Sequence, residues 1–313
     1  MKVFKSIEEI QNIEETATAL GNFDGIHLGH QALIREAVTQ ARQKGLKSAV
    51  FTFSNHPKNV ISGTNMVKNI IYCDEKVAIL EAMGVDYLFS LDYTMEFGAM
   101  TPQQFSSELL VKTFRARHVV CGFNYRYGYK AEGDSRMLIQ QGCILGFDVS
   151  VMDPVSIDGS VVSSTLIRGL IAQGEMEECS RYLGRNYAIG GRVIEGNHIG
   201  RTIGFPTCNI TVDETMVAPA NGVYVTNCRV DGQLHPSITN VGSKPTIGMY
   251  HKNVETHLLD FSGNLYGREI RVEFLKKLRD ERKFENVEAL AEEIQRNCRT
   301  AREYHGMLKK QSV

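Results

Sequence analysis

The sequence predicts two halves of different fold class: an α/β half built on a parallel sheet, then an antiparallel β-barrel or sandwich closed by a helix. Three observations carry this. The chain has 313 residues, and at roughly 100–200 residues per domain that length makes two cores. Up to about residue 182, short β-branched or aromatic runs alternate with helix-length amphipathic segments, the rhythm of parallel strands joined by helices. Beyond about Asn186, short strands follow one another with Gly and Asn punctuation and no helix between them.

In the first half, Ala17–Leu20 leads into Gly21 as a first strand. A helix over Leu28–Lys44 sets Leu33, Ile34, Ala37, Val38 and Ala41 on one face and stops at Gly45. Ser48–Phe53 reads as a buried strand, Asp74–Met83 as a helix capped by Asp74, and Tyr87–Leu91 as the next strand. Pro102 opens a helix reaching about Lys112, and a strand over Arg117–Cys121 follows. In the second half the strands are Ala188–Ile194, Pro206–Val212, Gly222–Val230, His235–Val241, Val254–Leu259 and Arg268–Phe274. A helix over Asn286–Tyr304, striped by Val287, Leu290, Ala291 and Ile294, ends the pattern. The boundary falls between Arg181 and Tyr187, giving domains 1–182 and 183–307.

Composition narrows the function classes. With 42% hydrophobic and 23% charged residues the chain is ordinary globular material. A formal charge of -1 disfavours broad electrostatic binding to nucleic acid or an anionic membrane, so any phosphate must be gripped locally. The 7 cysteines include no C-x-x-C pair, which argues against structural zinc or a disulfide framework. Glu8, Glu9, Glu14 and Glu15 stand where a signal peptide would need a basic start, and no apolar run approaches membrane-spanning length. The expectation is a cytoplasmic protein with no nucleic-acid or membrane partner.

Gly21-Asn22-Phe23-Asp24-Gly25-Ile26-His27-Leu28-Gly29-His30 lies where the first strand turns into the first helix. Ligands of an open parallel sheet bind at such turns, and a helix N-terminus offers free N–H groups to an anion. His27 and His30, three apart, share one side of the first turn. Alone, H-x-x-H is more often an ordinary pair of polar residues. Its glycine-flanked context favours two imidazoles that donate to a polyphosphate during displacement at phosphorus. There is no G-K-[ST] and no G-x-G-x-x-G, so nucleotidyl transfer fits better than an ordinary kinase or dehydrogenase site.

In the second half, Gly204-Phe205-Pro206-Thr207-Cys208-Asn209 puts Thr207 and Asn209 on one face of a strand, with Cys208 on the other. A hydroxyl and an amide oxygen are hard ligands suited to Mg2+ that also binds substrate phosphates. Solvent-facing polar residues would read the same way. Glu255 shares the outer face of its strand with His257.

The Gly21–His30 run closely resembles the H-x-G-H signature of the nucleotidyltransferase superfamily, in the form found in bacterial bifunctional riboflavin kinase/FAD synthetases. Cys121-Gly122-Phe123-Asn124-Tyr125-Arg126-Tyr127-Gly128 resembles that family's flavin-side loop, Ser163-Ser164-Thr165-Leu166-Ile167-Arg168 its second nucleotide motif, and Gly204–Asn209 its kinase motif, with Cys208 in place of the usual alanine. Ala220–Tyr224, Asn240–Thr246 and Arg279–Phe284 extend the resemblance over nearly the whole chain.

The resemblance implies a Rossmann-like FMN adenylyltransferase domain followed by a riboflavin kinase barrel. It implies ATP contacts at Gly21, Phe23, Asp24, Gly29, Ser164, Thr165 and Arg168 in the first, and at Gly204 and Thr207 in the second. It makes His27, His30 and Glu255 catalytic, Asn124, Tyr125 and Arg279 flavin-side, and Thr207 and Asn209 the holders of Mg2+. Riboflavin, FMN, FAD, ATP, ADP and pyrophosphate would be its ligands. The alternatives are a member retaining one activity, or a flavin-responsive RNA-binding regulator. Asn197-His198-Ile199, where relatives often carry more glycine and arginine, leaves the preceding loop's phosphate contacts open.

Overall fold

A computed structural model describes residues 1–195, 200, 203–246 and 249–311. Asn197, His198, Ile199, Arg201 and Thr202 of the expected phosphate loop lie outside the described residues. The chain divides into two compact units, Met1–Ser164 and Thr165–Val313.

In the first unit β1 (Lys2–Phe4), β2 (Thr16–Leu20), β3 (Lys47–Phe53), β4 (Tyr87–Leu91), β5 (Ala116–Gly122) and β8 (Asp148–Met152) form one sheet in the order β1-β4-β3-β2-β5-β8. All five pairings are parallel. Successive residues alternate between two buried faces: Phe51, Phe89 and Val119 enter one core, and Val50, Leu88 and Val120 the other. A strand covered on both sides has no polar face, which is why β2 reads TATAL and is wholly buried. The chain winds from β2 through β3 to β4 on one side, then crosses to β5 on the other. The switch point between β2 and β5 is where such a sheet opens a crevice.

Helix α1 (Leu28–Lys44) buries Ile34, Ala37, Val38 and Ala41 and ends on Gly45 at φ 67, as the periodicity predicts. After α2 (Pro57–Ser62), α3 (Cys73–Ala82) departs from expectation at its start. Its N-cap is Tyr72, which makes no side-chain cap, and Asp74 sits inside the first turn, where its charge faces the positive helix end. Following α4 (Met95–Gly98), Pro102 does open a helix, but α5 (Pro102–Gln104) passes into a π-helix over Phe105–Thr113. The wider turn gathers Phe105, Ser106, Leu109 and Leu110 onto one buried face.

Two short antiparallel pairs, β6 (Arg126–Tyr127) with β7 (Gly133–Asp134) and β9 (Ser156–Ile157) with β10 (Ser160–Val161), flank α6 (Ser135–Leu145) and β8. Helices α7 (Ser164–Gln173) and α8 (Met176–Leu183) follow. The contact-defined division precedes this helix pair, whereas the expected boundary follows it. The reason is packing, since α8 lies against β11 (Tyr187–Arg192) and β16 (Glu269–Arg279).

The second unit is one antiparallel sheet, with β12 (Cys208–Thr211), β13 (Gly222–Val230), β14 (Gln233–Thr246) and β15 (Met249–Leu258) completing the order β11-β16-β13-β14-β15-β12. A bridge between Ile194 and Asn209 joins its two ends, so the sheet is a nearly closed barrel rather than a sandwich. Register and burial put Tyr187, Ile189, Tyr224, Val254, Val272 and Phe274 inside. The interior hydroxyls satisfy one another, Thr226 bonding Ser237 and Thr239 at 2.8 Å each, and Thr239 bonding Thr256 at 2.9 Å. Outside, Val225, Ile238 and Leu275 are covered by Cys298 and Ala301 of α9 (Val287–Gln311). No helix of the described residues is long and apolar enough to cross a membrane.

Candidate active sites

The first unit holds a cavity of about 980 Å³ at the switch point, lined by Leu20–Phe23 at the end of β2 and Gly122–Ala131 after β5. The turn out of β2 is conformationally costly: Phe23, Gly25 and Ile26 have φ of 43, 86 and 40°. Asp24 clamps it from beneath. Its Oδ1 accepts from Ile70 N–H at 2.8 Å and its carbonyl from the Ser164 hydroxyl at 2.9 Å. Asp24 is buried, and Gly21, Phe23, Gly29 and Ser164 are on the cavity wall where it is not. The ammonium of Lys76 lies close enough to Asp24 for the carboxylate to raise its pKa, against a larger lowering by burial.

His27 caps α1, its Nδ1 accepting the His30 backbone N–H at 3.2 Å. A neutral ring that accepts at Nδ1 carries its proton on Nε2. The two rings stack at 3.6 Å, 16° from parallel, and the Phe23 ring meets His30 edge-on at 5.2 Å. Both histidines line the cavity, so two imidazole rings and the N-terminus of α1 meet there.

At the far end, Asn124 and Tyr125 also line the cavity. Tyr125 and Tyr127 stack at 5.8 Å, whereas Tyr129 carries the Lys130 ammonium 5.1 Å above its ring. Burial pushes the Tyr127 phenol up to about 12 and Tyr125 upward too. Tyr127 donates to Gln141 Oε1 at 3.1 Å.

Sequence reasoning passed over His56 and Lys58, which line the same cavity at the start of α2. His56 Nδ1 accepts the Lys58 backbone N–H at 3.2 Å. The missed signal was His-Pro directly after β3, at the same end of the sheet as the Gly21–His30 turn. Thr165 and Arg168 belong to the second unit and are not on this cavity's wall.

The second candidate site is on the barrel's outer face. Asn209 lies opposite Glu255 across β12 and β15, and Asn240 opposite Glu255 across β14. The amide nitrogen of Asn253, a residue the sequence did not single out, stands 3.0 Å from Glu255 Oε1 and 3.3 Å from Asn209 Oδ1. Thr207 precedes β12 rather than lying within it, because the Pro206 carbonyl accepts from the His257 ring at 2.8 Å instead of joining the ladder. Cys208 faces the interior, its thiol donating to the Thr256 carbonyl at 3.3 Å. Gly204 takes φ 85.

Just before β13, Asn221 Nδ2 donates to Glu281 at 3.0 Å, and Asn221 Oδ1 accepts from the Lys252 ammonium. Arg279 Nε lies 3.2 Å from Glu293, which also holds Arg282 and Arg296 at 2.6 Å. Its guanidinium also stands 5.6 Å from the Phe284 ring. Among the described residues no group of three or more His, Cys, Asp or Glu is placed to hold a metal. The hard oxygens of Thr207 and Asn209 fit an ion that takes its other ligands from phosphates and water.

Residues 9–166 match the family model of FAD synthetase, and residues 183–305 that of riboflavin kinase. The bifunctional riboflavin kinase/FMN adenylyltransferase of Escherichia coli K12 is 34% identical over 312 residues, covering 99% of each chain. That of Listeria monocytogenes is 38% identical over 292 residues, covering 93% of this chain and 92% of its own. A solved chain described as a macrolide-efflux protein from Streptococcus pneumoniae superposes with a TM-score of 0.89 at 30% identity, over 96% of this chain and 98% of that one. With each half matched in turn and relatives aligned along almost its full length, the chain belongs to the family of bifunctional riboflavin kinase/FMN adenylyltransferases.

Proposed function

We propose that the chain makes FAD from riboflavin in two ATP-dependent steps, with domains 1–182 and 183–307 as the adenylyltransferase and the kinase. The observation that carries the reading is the stacked His27–His30 pair at the N-terminus of α1, opening on a cavity whose other end is aromatic. In the kinase, the riboflavin 5'-hydroxyl oxygen attacks the γ-phosphorus of ATP, Glu255 takes its proton, and the bond to ADP breaks. Thr207 and Asn209 would hold Mg2+, which would supply charge neutralisation at the phosphates. Gly204 lets the loop approach them.

In the adenylyltransferase, a phosphate oxygen of FMN attacks the α-phosphorus of a second ATP, and the bond to pyrophosphate breaks. His27 and His30 donate to the α-phosphate oxygens as charge builds, each such donor being worth about 10²–10³ in rate. Gly21, Phe23, Gly29 and Ser164 border the ATP, Asp24 supports it from below, and the family resemblance adds Thr165 and Arg168. Asn124 and Tyr125 face FMN, and Arg279, shared between Glu293 and Phe284, serves the flavin end of the kinase site. All seven cysteines are free thiols, the state that a reducing cytoplasm maintains, and we place the enzyme there.

A chromatographic time course of flavins tests this. With riboflavin, ATP and Mg2+, FMN appears first and FAD follows. His30→Ala stops at FMN, while Glu255→Gln leaves riboflavin unchanged yet still adenylylates supplied FMN. Absence of both products from the unaltered chain refutes the reading.

A further inference from the structure

We infer that Asn253 is a positioning residue of the kinase reaction, its one amide nitrogen fixing both Asn209 and Glu255. The inference rests on the roles given to those two residues above. On the outer face of β15, Asn253 stands two residues before Glu255, and the register sets it opposite Thr211 on β12 and Gly242 on β14. Gly242 has no side chain to cover the space, and the Glu281 carboxylate occupies it, within 2.9 Å of where a Cβ would be. Asn253 is thereby enclosed at 8% exposure on a face where polar residues ordinarily meet water.

An enclosed amide must spend its two protons on acceptors. Here the acceptors are Glu255 Oε1 at 3.0 Å and Asn209 Oδ1 at 3.3 Å. Reversing the amide would set its oxygen against two other oxygens, so the orientation is determined. The consequence reaches both partners. Asn209 is held with its oxygen, not its NH2, on the Glu255 side, and the second lone pair of that oxygen stays open to a cation. Glu255 Oε1 is tied to a donor whose own place is fixed, which sets the plane of the carboxylate. A carboxylate on an unsupported strand face would sample several rotamers, most of them unproductive.

The test uses the full chain with Asn253→Ala, which removes both donors, and Asn253→Ser, which retains one hydroxyl donor. Four quantities are read: kcat and KM for riboflavin phosphorylation, calorimetric affinity for ADP with Mg2+ while FAD fills the first site, and adenylylation of supplied FMN. For the alanine variant we expect kcat for phosphorylation to fall about tenfold or more, equivalent to ~1.4 kcal/mol. The riboflavin KM should stay within about twofold, ADP–Mg2+ affinity should weaken several-fold, and serine should fall between. Adenylylation, carried out by the other unit, should be unchanged.

Wild-type kcat in both variants overturns the inference. So does a loss confined to the riboflavin KM, or an equal loss in alanine and serine variants that extends to adenylylation, since packing alone would produce either. If the unaltered chain makes no FMN, the kinase reading fails first and separately.

Discussion

Gly29→Ala separates the placement of the His27 ring from the stability of the helix it caps. A Cβ at position 29 would stand 3.2 Å from Cε1 and Nδ1 of His27, inside the roughly 3.5–4.0 Å of a comfortable carbon contact. The ring must yield by a few tenths of an ångström, yet it is 5% exposed and already stacked on His30 at 3.6 Å. The yielding contact is the cap, His30 N–H to Nδ1 at 3.2 Å. Losing a cap costs about 1 kcal/mol, and alanine in place of glycine within a helix returns about 0.8–1.0 kcal/mol. The two nearly cancel, so the thermal midpoint of the first unit should move by no more than about 2 °C. Catalysis has no such offset, and a donor displaced from a developing charge costs about 10² in rate. We expect FMN adenylylation to fall by that factor while riboflavin phosphorylation in the same preparation is unchanged. Wild-type adenylylation would show that the ring's position is not what the step requires.

Two further outcomes follow from buried charge. Asp24→Asn should destabilise the first unit by about 1.5–3 kcal/mol, because it weakens the clamp on Ile70 and strips Lys76 of its counter-charge. Adding Lys76→Met should recover part of the loss in urea unfolding, and a double variant no more stable than the single one refutes the pairing. His118 is held below its ordinary 6.5, first by burial and then by the Lys44 ammonium 3.0 Å from Nδ1. Asp148 and Glu36 oppose this, and Nε2 donates to Ser150 at 2.8 Å. The folded state therefore prefers the neutral ring, so this contribution to stability is intact above the unfolded value and declines as pH falls below it. His118→Gln should flatten that decline between pH 7.5 and 5.5, and an unchanged slope in denaturant titrations counts against the assignment.

What was legible in the sequence was whatever local rules control. The stripe of α1 and the stop at Gly45 follow from periodicity and glycine's tolerance of φ 67. The β2-to-α1 turn announces itself by its glycines, Gly25 taking φ 86, whereas the positive φ of Phe23 and Ile26 has no local signal because neither residue type favours it. The π-helix at Phe105 was hidden, since its sequence fits an α-helix and only the demand to bury four neighbours decides. Tyr72 as the cap of α3 was hidden likewise, with Asp74 the better capper on propensity. Asn253 carries no motif at all; its importance comes from register, which sets it between Asn209 and Glu255. His56 had a local signal, His-Pro after a strand, but becomes a cavity residue only through the parallel order of β2 and β3.

The two sites also differ in charge in the way their acceptors require. The first cavity sets Lys58, Arg126 and Lys130 against Asp153, besides its three histidines. A site that must bring two anions together, FMN and ATP, needs such a lining, since their mutual repulsion would otherwise oppose the encounter. The outer face of the barrel instead gathers Asn209, Asn240, Asn253 and Glu255. On the function proposed above, its acceptor, riboflavin, is neutral and must give up a proton, so a carboxylate is wanted there, and added lysines would only compete for it. One chain can thus handle six phosphate-bearing or flavin ligands at a net charge of -1, because each half matches the charge of its own nucleophile rather than sharing one positive field.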